Sequence, residues 1–202
     1  MTLLNAIFAL VLFAFVSSIT PGPNNLMLLS SGTRFGFRRT IPHMLGVAIG
    51  FALMIALVGL GLARLFIAYP SVRFALKVGS IGYLVYLAWK IATAAPPQPN
   101  SVGDEGRPMS FLQAAAFQWV NPKAWTMALT ALSAYMPPTD PWLGLVIVSL
   151  VFCTVNLPSV SIWAAMGTQL RRYLADPTIL RWFNRTAAIL LLTSLYPIVT
   201  QG

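Results

Sequence analysis

The sequence predicts an all-α membrane protein of six transmembrane helices, built as two inverted three-helix repeats with interrupted first and fourth helices. Three observations predict it. First, 57% of the 202 residues are hydrophobic and only 8% are charged, against about 25% charged in soluble domains. The chain lacks the polar side chains to cover a globule. Second, the apolar residues fall in six runs near the ~20 residues that a spanning helix needs, without the ten-residue alternation of an outer-membrane barrel. Third, two of these runs are broken by a polar residue followed by proline, Thr20-Pro21 and Asn121-Pro122, 101 residues apart, which is half the chain.

The first span, Leu3–Leu29, opens on sixteen almost wholly apolar residues, Leu3 to Ser18, and is then interrupted by "ITPGPNN". A cleavable signal peptide is not expected there, because no Lys or Arg precedes the run and no small-residue cleavage site precedes Pro-Gly-Pro. The second span, Pro42–Ala68, carries Gly46 and Gly50 as a GxxxG, with Gly59 and Gly61 beyond. Small residues of this kind let helices pack closely. His43, the single histidine, stands at the expected start of this helix; an interfacial cap is the favoured reading, and a group that titrates near neutral pH is the alternative. The third span is Ser71–Ala94.

The segment Ala95–Ser110, with "APPQPNSVGDEGRP", is rich in Pro, Gly and polar residues and reads as a flexible linker. It divides one transmembrane domain, 1–202, into halves 1–94 and 111–202. The fourth span, Phe111–Met136, is interrupted by "WVNPKAW", and the fifth, Trp142–Gly167, contains the further polar-proline pair Asn156 and Pro158. The sixth, Thr178–Val199, begins with Arg181 and Arg185, which can snorkel to the interface. Three helices per half is an odd number, so the second half enters the membrane from the opposite side. Interrupted segments at matching positions of inverted halves point to a binding site.

The connectors after the first, third and fifth spans hold nine basic residues: Arg34, Arg38, Arg39, Lys90, Arg107, Arg171, Arg172, Arg181 and Arg185. The other side holds three, Arg64, Arg73 and Lys77. Basic residues stay cytoplasmic, so both termini are expected in the periplasm. The net charge of +9 is explained by topology and by contact with anionic lipid, and calls for no nucleic-acid partner. Cys153 is the only cysteine, so no disulfide forms within the chain.

A proline inside a helix removes a backbone donor and frees carbonyls, and those carbonyls must be satisfied by protein or water, never by lipid. Pro21, Gly22, Pro23, Asn24 and Asn25 are therefore expected to face the bundle interior, as are Asn121, Pro122 and Lys123. Lys123 is the only charged residue well inside a span, and a buried ammonium needs a partner. These eight residues are the expected substrate-binding set, gathered around one polar cavity. A helix restarting after Pro23, or Lys123 itself, would take a carboxylate. Freed carbonyls and the Asn24 or Asn25 side chain would take an ammonium. Asn156 and Trp125 are candidate cavity-lining residues. Structural kinks are the alternative for each break taken alone.

The stretches "TPGPNN", "GVAIG", "YLVYLAWKIA", "VNPKAW" and "LRWFNR" resemble the lysine-exporter (LysE) superfamily, in particular its homoserine/threonine- and cysteine-exporting (RhtB-like) branch of bacterial inner-membrane exporters. The resemblance runs nearly end to end. It implies a compact six-helix fold in the bacterial inner membrane and export of small amino acids driven by proton exchange. All four acids, Asp104, Glu105, Asp140 and Asp176, lie in connectors or at their edges. A cationic substrate would want a buried negative partner, so within that implication a neutral substrate is favoured: homoserine, threonine, cysteine or O-acetylserine. The same lack leaves proton coupling without an evident carrier in the spans. Exposed glycine faces would permit a homodimer.

Other classes fit less well. No phosphate-binding G-x-x-x-x-G-K-[ST] loop, H-E-x-x-H or paired carboxylate is present, so neither direct ATP coupling nor a catalytic residue is expected, and no cofactor. One His, one Cys and no intramembrane acid are too few ligands for a metal site or a metal cargo. Export of another small metabolite or a metal ion, and a non-transport membrane subunit, are the alternatives.

Overall fold

The computed structural model describes residues 3–62, 68–93, 107–136, 140–171 and 173–196. Arg64, Arg172, Asp104, Glu105, most of the expected linker and the last residues of the expected sixth span lie outside them. The described residues are mainly helical, with no strand among them. Helix α1 (Leu3–Ile19) is followed after a break by α2 (Pro23–Phe35), and α3 (Phe37–Leu57) continues as a π turn, Val58–Leu62. Then come α4 (Pro70–Ala92), the short α5 (Phe111–Phe117) with a 3₁₀ turn at Gln118–Val120, and α6 (Pro122–Tyr135). The 30-residue α7 (Pro141–Leu170) and α8 (Pro177–Thr193) complete it.

Proline places most of these starts. Pro23, Pro70, Pro122, Pro141 and Pro177 each occupy a first helical turn, where the missing N–H would have had no intrahelical acceptor. Pro42 departs from this rule. The expected start there is wrong, because α3 begins five residues earlier, and Pro42 and Arg38, the residue whose carbonyl it frees, are both exposed. Gly36, at φ 80°, makes the turn between α2 and α3 in a conformation that suits glycine.

Among the described residues, Phe37–Leu62, Phe74–Ala92 and Pro141–Leu170 are long and apolar enough to cross a membrane. Leu4–Ile19 and Pro23–Phe35, bent by 55° at the break between them, are together long and apolar enough for a further span or a re-entrant pair. The surface agrees with a lipid solvent. Phe8 is 70% exposed and Leu150 61%, while Gln118, Asn121 and Asn25 are 3% exposed or less. Apolar outside and amide inside reverses the arrangement of a soluble protein, and fits an α-helical membrane protein.

Helix α7 is the central post, packed against α1, α2 and α3, with α4 and α8 paired at the side. One apolar core joins α1, α3, α6 and α7 around Phe51 and Phe152. A second joins α2, α4, α5 and α8. A third, small, ties Leu28, Val47, Ala114 and Ala164. The expected GxxxG is a packing device: Cβ atoms on Gly46 and Gly50 would collide with Phe111, Ala114 and Ala115 of α5. A second close approach has no such motif. Gly32 of α2 and Gly167 of α7 lie against the Ala164 and Leu29 carbonyls, with no room for a side chain on either.

Candidate functional site

The first break is where α1 ends. Its last helical bond is Thr20 N–H to Val16 O, and the helix resumes with Leu26 N–H to Gly22 O. Between them Pro21 and Pro23 donate nothing to Ser17 O and Ile19 O, and the extended backbone at Gly22 carries the N–H groups of Gly22 and Asn24 away from Ser18 O and Thr20 O, so all four carbonyls lose their ordinary partners. All four are recovered by side chains. Thr20 Oγ1 donates to Ser17 O at 3.0 Å and Asn25 Nδ2 to Ser18 O at 2.8 Å. Trp163 Nε1, on α7, donates to Ile19 O at 3.0 Å. Thr20 O accepts twice, from Asn25 Nδ2 at 2.7 Å and Lys123 Nζ at 2.6 Å. The ammonium spends its other hydrogens on Thr20 Oγ1 at 2.9 Å and Pro21 O at 3.4 Å. Gly22 makes room for it: a Cβ there would sit 2.7 Å from Lys123 Cδ.

The second break repairs itself. Pro122 cannot donate to Gln118 O, which accepts Asn121 N–H instead in the 3₁₀ turn. Asn121 Oδ1 caps α6 by accepting Lys123 N–H at 3.1 Å. The Trp119 carbonyl accepts the indole N–H of Trp125 at 2.9 Å. The Gln118 side chain turns back to Ala114 O at 2.7 Å and reaches across to Asn24, whose Nδ2 donates to Gln118 Oε1 at 2.8 Å. Lys123 and the Asn24–Gln118 pair thus tie the two breaks together.

Between them lies a cavity of about 20 Å³, room for a single water, lined by Ser17, Ser18, Gly22, Asn24, Asn25, Phe51, Gln118, Asn121, Lys123, Ala124, Met127, Asn156 and Val160. Of the residues expected from sequence, Gly22, Asn24, Asn25, Asn121, Lys123 and Asn156 line it. Pro21, Pro23 and Pro122 shape the breaks without lining it. Trp125 does not line it either, because its indole packs edge to face on Trp119 at 5.9 Å. The freed carbonyls, expected to take a ligand ammonium, are held here by side chains of the chain itself.

His43 is corrected as well. It stands inside α3, 2% exposed, with neither ring nitrogen bonded, rather than capping the helix at an interface. Gln118, Ser17, Ser18 and Trp163 were missed. Gln118 carried a usable signal, since it lies one helical turn before Asn121 in an apolar run. Trp163 carried none.

Interrupted membrane helices whose breaks meet around a polar cavity are the pattern of a transport protein's binding site. The chain belongs to the LysE type translocator family, whose model matches residues 14–194; it is a membrane transporter, not an enzyme. It is 33% identical over 173 residues to the cysteine/O-acetylserine efflux protein of Escherichia coli K12, covering 85% of each chain. It is 33% identical over 162 residues to that of Shigella flexneri serotype 5b, covering 79% of this chain and 81% of the relative. No solved structure gives a significant match.

Proposed function

We propose that this protein exports small neutral amino acids, of the cysteine and O-acetylserine class, from the cytoplasm across the bacterial inner membrane. The observation that carries the substrate charge is the cavity itself: one ammonium, Lys123, among amides and hydroxyls, with no carboxylate in its lining. Such a site balances the carboxylate of a zwitterion against Lys123 and offers a second positive charge nothing. The names of the relatives point the same way. Pro21–Asn25 and Asn121–Lys123 form the binding site in this reading, with Lys123 and the start of α2 receiving the carboxylate.

At about 20 Å³ the cavity is too small for an amino acid. Binding therefore replaces the Lys123–Thr20 and Asn24–Gln118 bonds and separates the two halves. That agrees with six spans in two inverted repeats that rock about the site, with the fourth span made of α5 and α6 and the sixth of α8. Both termini are then periplasmic, proton entry drives export, and the open face of α4 at Gly79 and Gly82 is where a homodimer would pack.

Everted vesicles test this reading. With a proton gradient imposed, they should accumulate labelled O-acetylserine and cysteine and leave lysine outside, and a protonophore should abolish the uptake. Accumulation of lysine without any neutral substrate would overturn it.

A further inference from the structure

The polar groups of the cavity are nearly all spoken for. Ser17 Oγ donates to Phe13 O at 2.6 Å, Asn24 and Gln118 hold one another, and Asn25 Nδ2 is shared between Ser18 O and Thr20 O. Asn121 Oδ1 caps α6, and Lys123 holds Thr20 and Pro21. Two atoms remain. Ser18 Oγ, at the end of α1, and Asn156 Oδ1, on α7, are buried and have no hydrogen-bond partner. Their residues are 4% and 5% exposed, and both line this cavity. Buried side-chain oxygens are normally satisfied, and both of these can accept.

We propose that Asn156 Oδ1 and Ser18 Oγ form the subsite for the substrate's α-ammonium group. The proposal rests on the exporter reading above and adds the half of the zwitterion that the breaks do not accommodate. An ammonium brings three donors and no acceptor, and these two oxygens can receive it without giving up a bond of their own, whereas each freed carbonyl must first lose its present donor. The two oxygens also come from different elements, α1 and α7, so an ammonium between them bridges the first half of the chain to the second. Because both acceptors are neutral, they hold an ammonium whose charge is balanced elsewhere in the same molecule, at Lys123. The site therefore favours a zwitterion over an amine that lacks the carboxylate.

The test compares wild type, Ser18→Ala, Asn156→Ala and Asn156→Asp in everted vesicles, with labelled O-acetylserine as substrate. The competitors are its desamino analogue, 3-acetoxypropanoate, and serine methyl ester, which keeps the ammonium and masks the carboxylate. Each alanine variant should raise the KM for O-acetylserine about tenfold, the scale of a lost hydrogen bond to a charged group. Inhibition by the desamino analogue should stay within about twofold, the ordinary scatter of a change that touches no contact of that ligand. Asn156→Asp, near-isosteric with the native side chain, should make the ester a better competitor.

If O-acetylserine and its desamino analogue weaken equally in the alanine variants, the two oxygens are structural and the subsite is wrong, while the exporter reading stands. An unchanged KM in Ser18→Ala and in both Asn156 variants has the same meaning. If wild type moves no amino acid, the exporter reading fails, and this subsite with it.

Discussion

The two breaks contain similar chemistry, proline beside a polar residue, but they are stabilised differently. At Asn121 the lost bonds are replaced from within seven residues: the Asn121 side chain caps α6, and Trp125 takes the Trp119 carbonyl. At Pro21 the repair is borrowed. Two of its four freed carbonyls depend on residues more than a hundred positions away, Lys123 and Trp163. The second break can form as soon as its helix does. The first is complete only when α6 and α7 have packed against it. A membrane offers no water to substitute in the meantime, so the first break is the conditional one, and it is also the one held by the only ionic side chain in the cavity.

The largest test of this asymmetry is Lys123→Met, which keeps the length of the side chain and removes the ammonium. Efflux should fall to the background of empty vesicles, and unfolding in detergent should show a loss of about 2 kcal/mol, the scale of a hydrogen bond to a charged group. Full efflux by the Met variant would remove Lys123 from the site altogether. Trp163→Phe comes next. It preserves an aromatic body and deprives Ile19 O of its donor, so stability should drop by about 1 to 2 kcal/mol, with a partial loss of efflux. If Trp163→Phe is neutral while Lys123→Met is not, the first break depends on the ion alone.

Asn121→Ala attacks the self-sufficient break. The loss of a helix cap should cost about 1 kcal/mol, and Asn121→Ser should restore most of it, since serine also caps. A loss larger than that of Lys123→Met would invert the comparison. The smallest effect belongs to a cap outside the membrane. Asp176 accepts from the N–H groups of Thr178 and Ile179 at the start of α8. The bond from Ile179, then that from Thr178, holds its carboxyl below the ordinary 3.8. A lowered carboxyl stabilises the folded state above its ordinary value and loses that contribution as the pH falls through the lowered one. The start of α8 should therefore be insensitive to pH near neutrality and loosen only below about pH 4, and Asp176→Asn should remove even that dependence. Hydrogen exchange of α8 measures it.

Much of this protein follows from the sequence read by itself. Its excess of apolar residues decides the solvent. Continuous apolar runs mark the helices, because each must satisfy its own backbone in lipid. Proline and asparagine at Thr20–Asn25 and Asn121–Lys123 mark the breaks, because loss of an N–H is a local property of the residue type. The absence of any interior acid, which bears on substrate charge, needs no coordinates at all. Tertiary structure alone decided which donors serve the freed carbonyls. Trp163 reaches Ile19 across 144 residues, and nothing near Trp163 in the chain announces it. The same holds for the burial of His43, for the crossing of α2 and α7 at Gly32 and Gly167, and for the two buried cavity oxygens, of Ser18 and Asn156, that have no hydrogen-bond partner. A hydrogen bond between distant helices depends on the angle and height at which they cross. Packing of the three cores sets these, and no short-range pattern in the sequence encodes them.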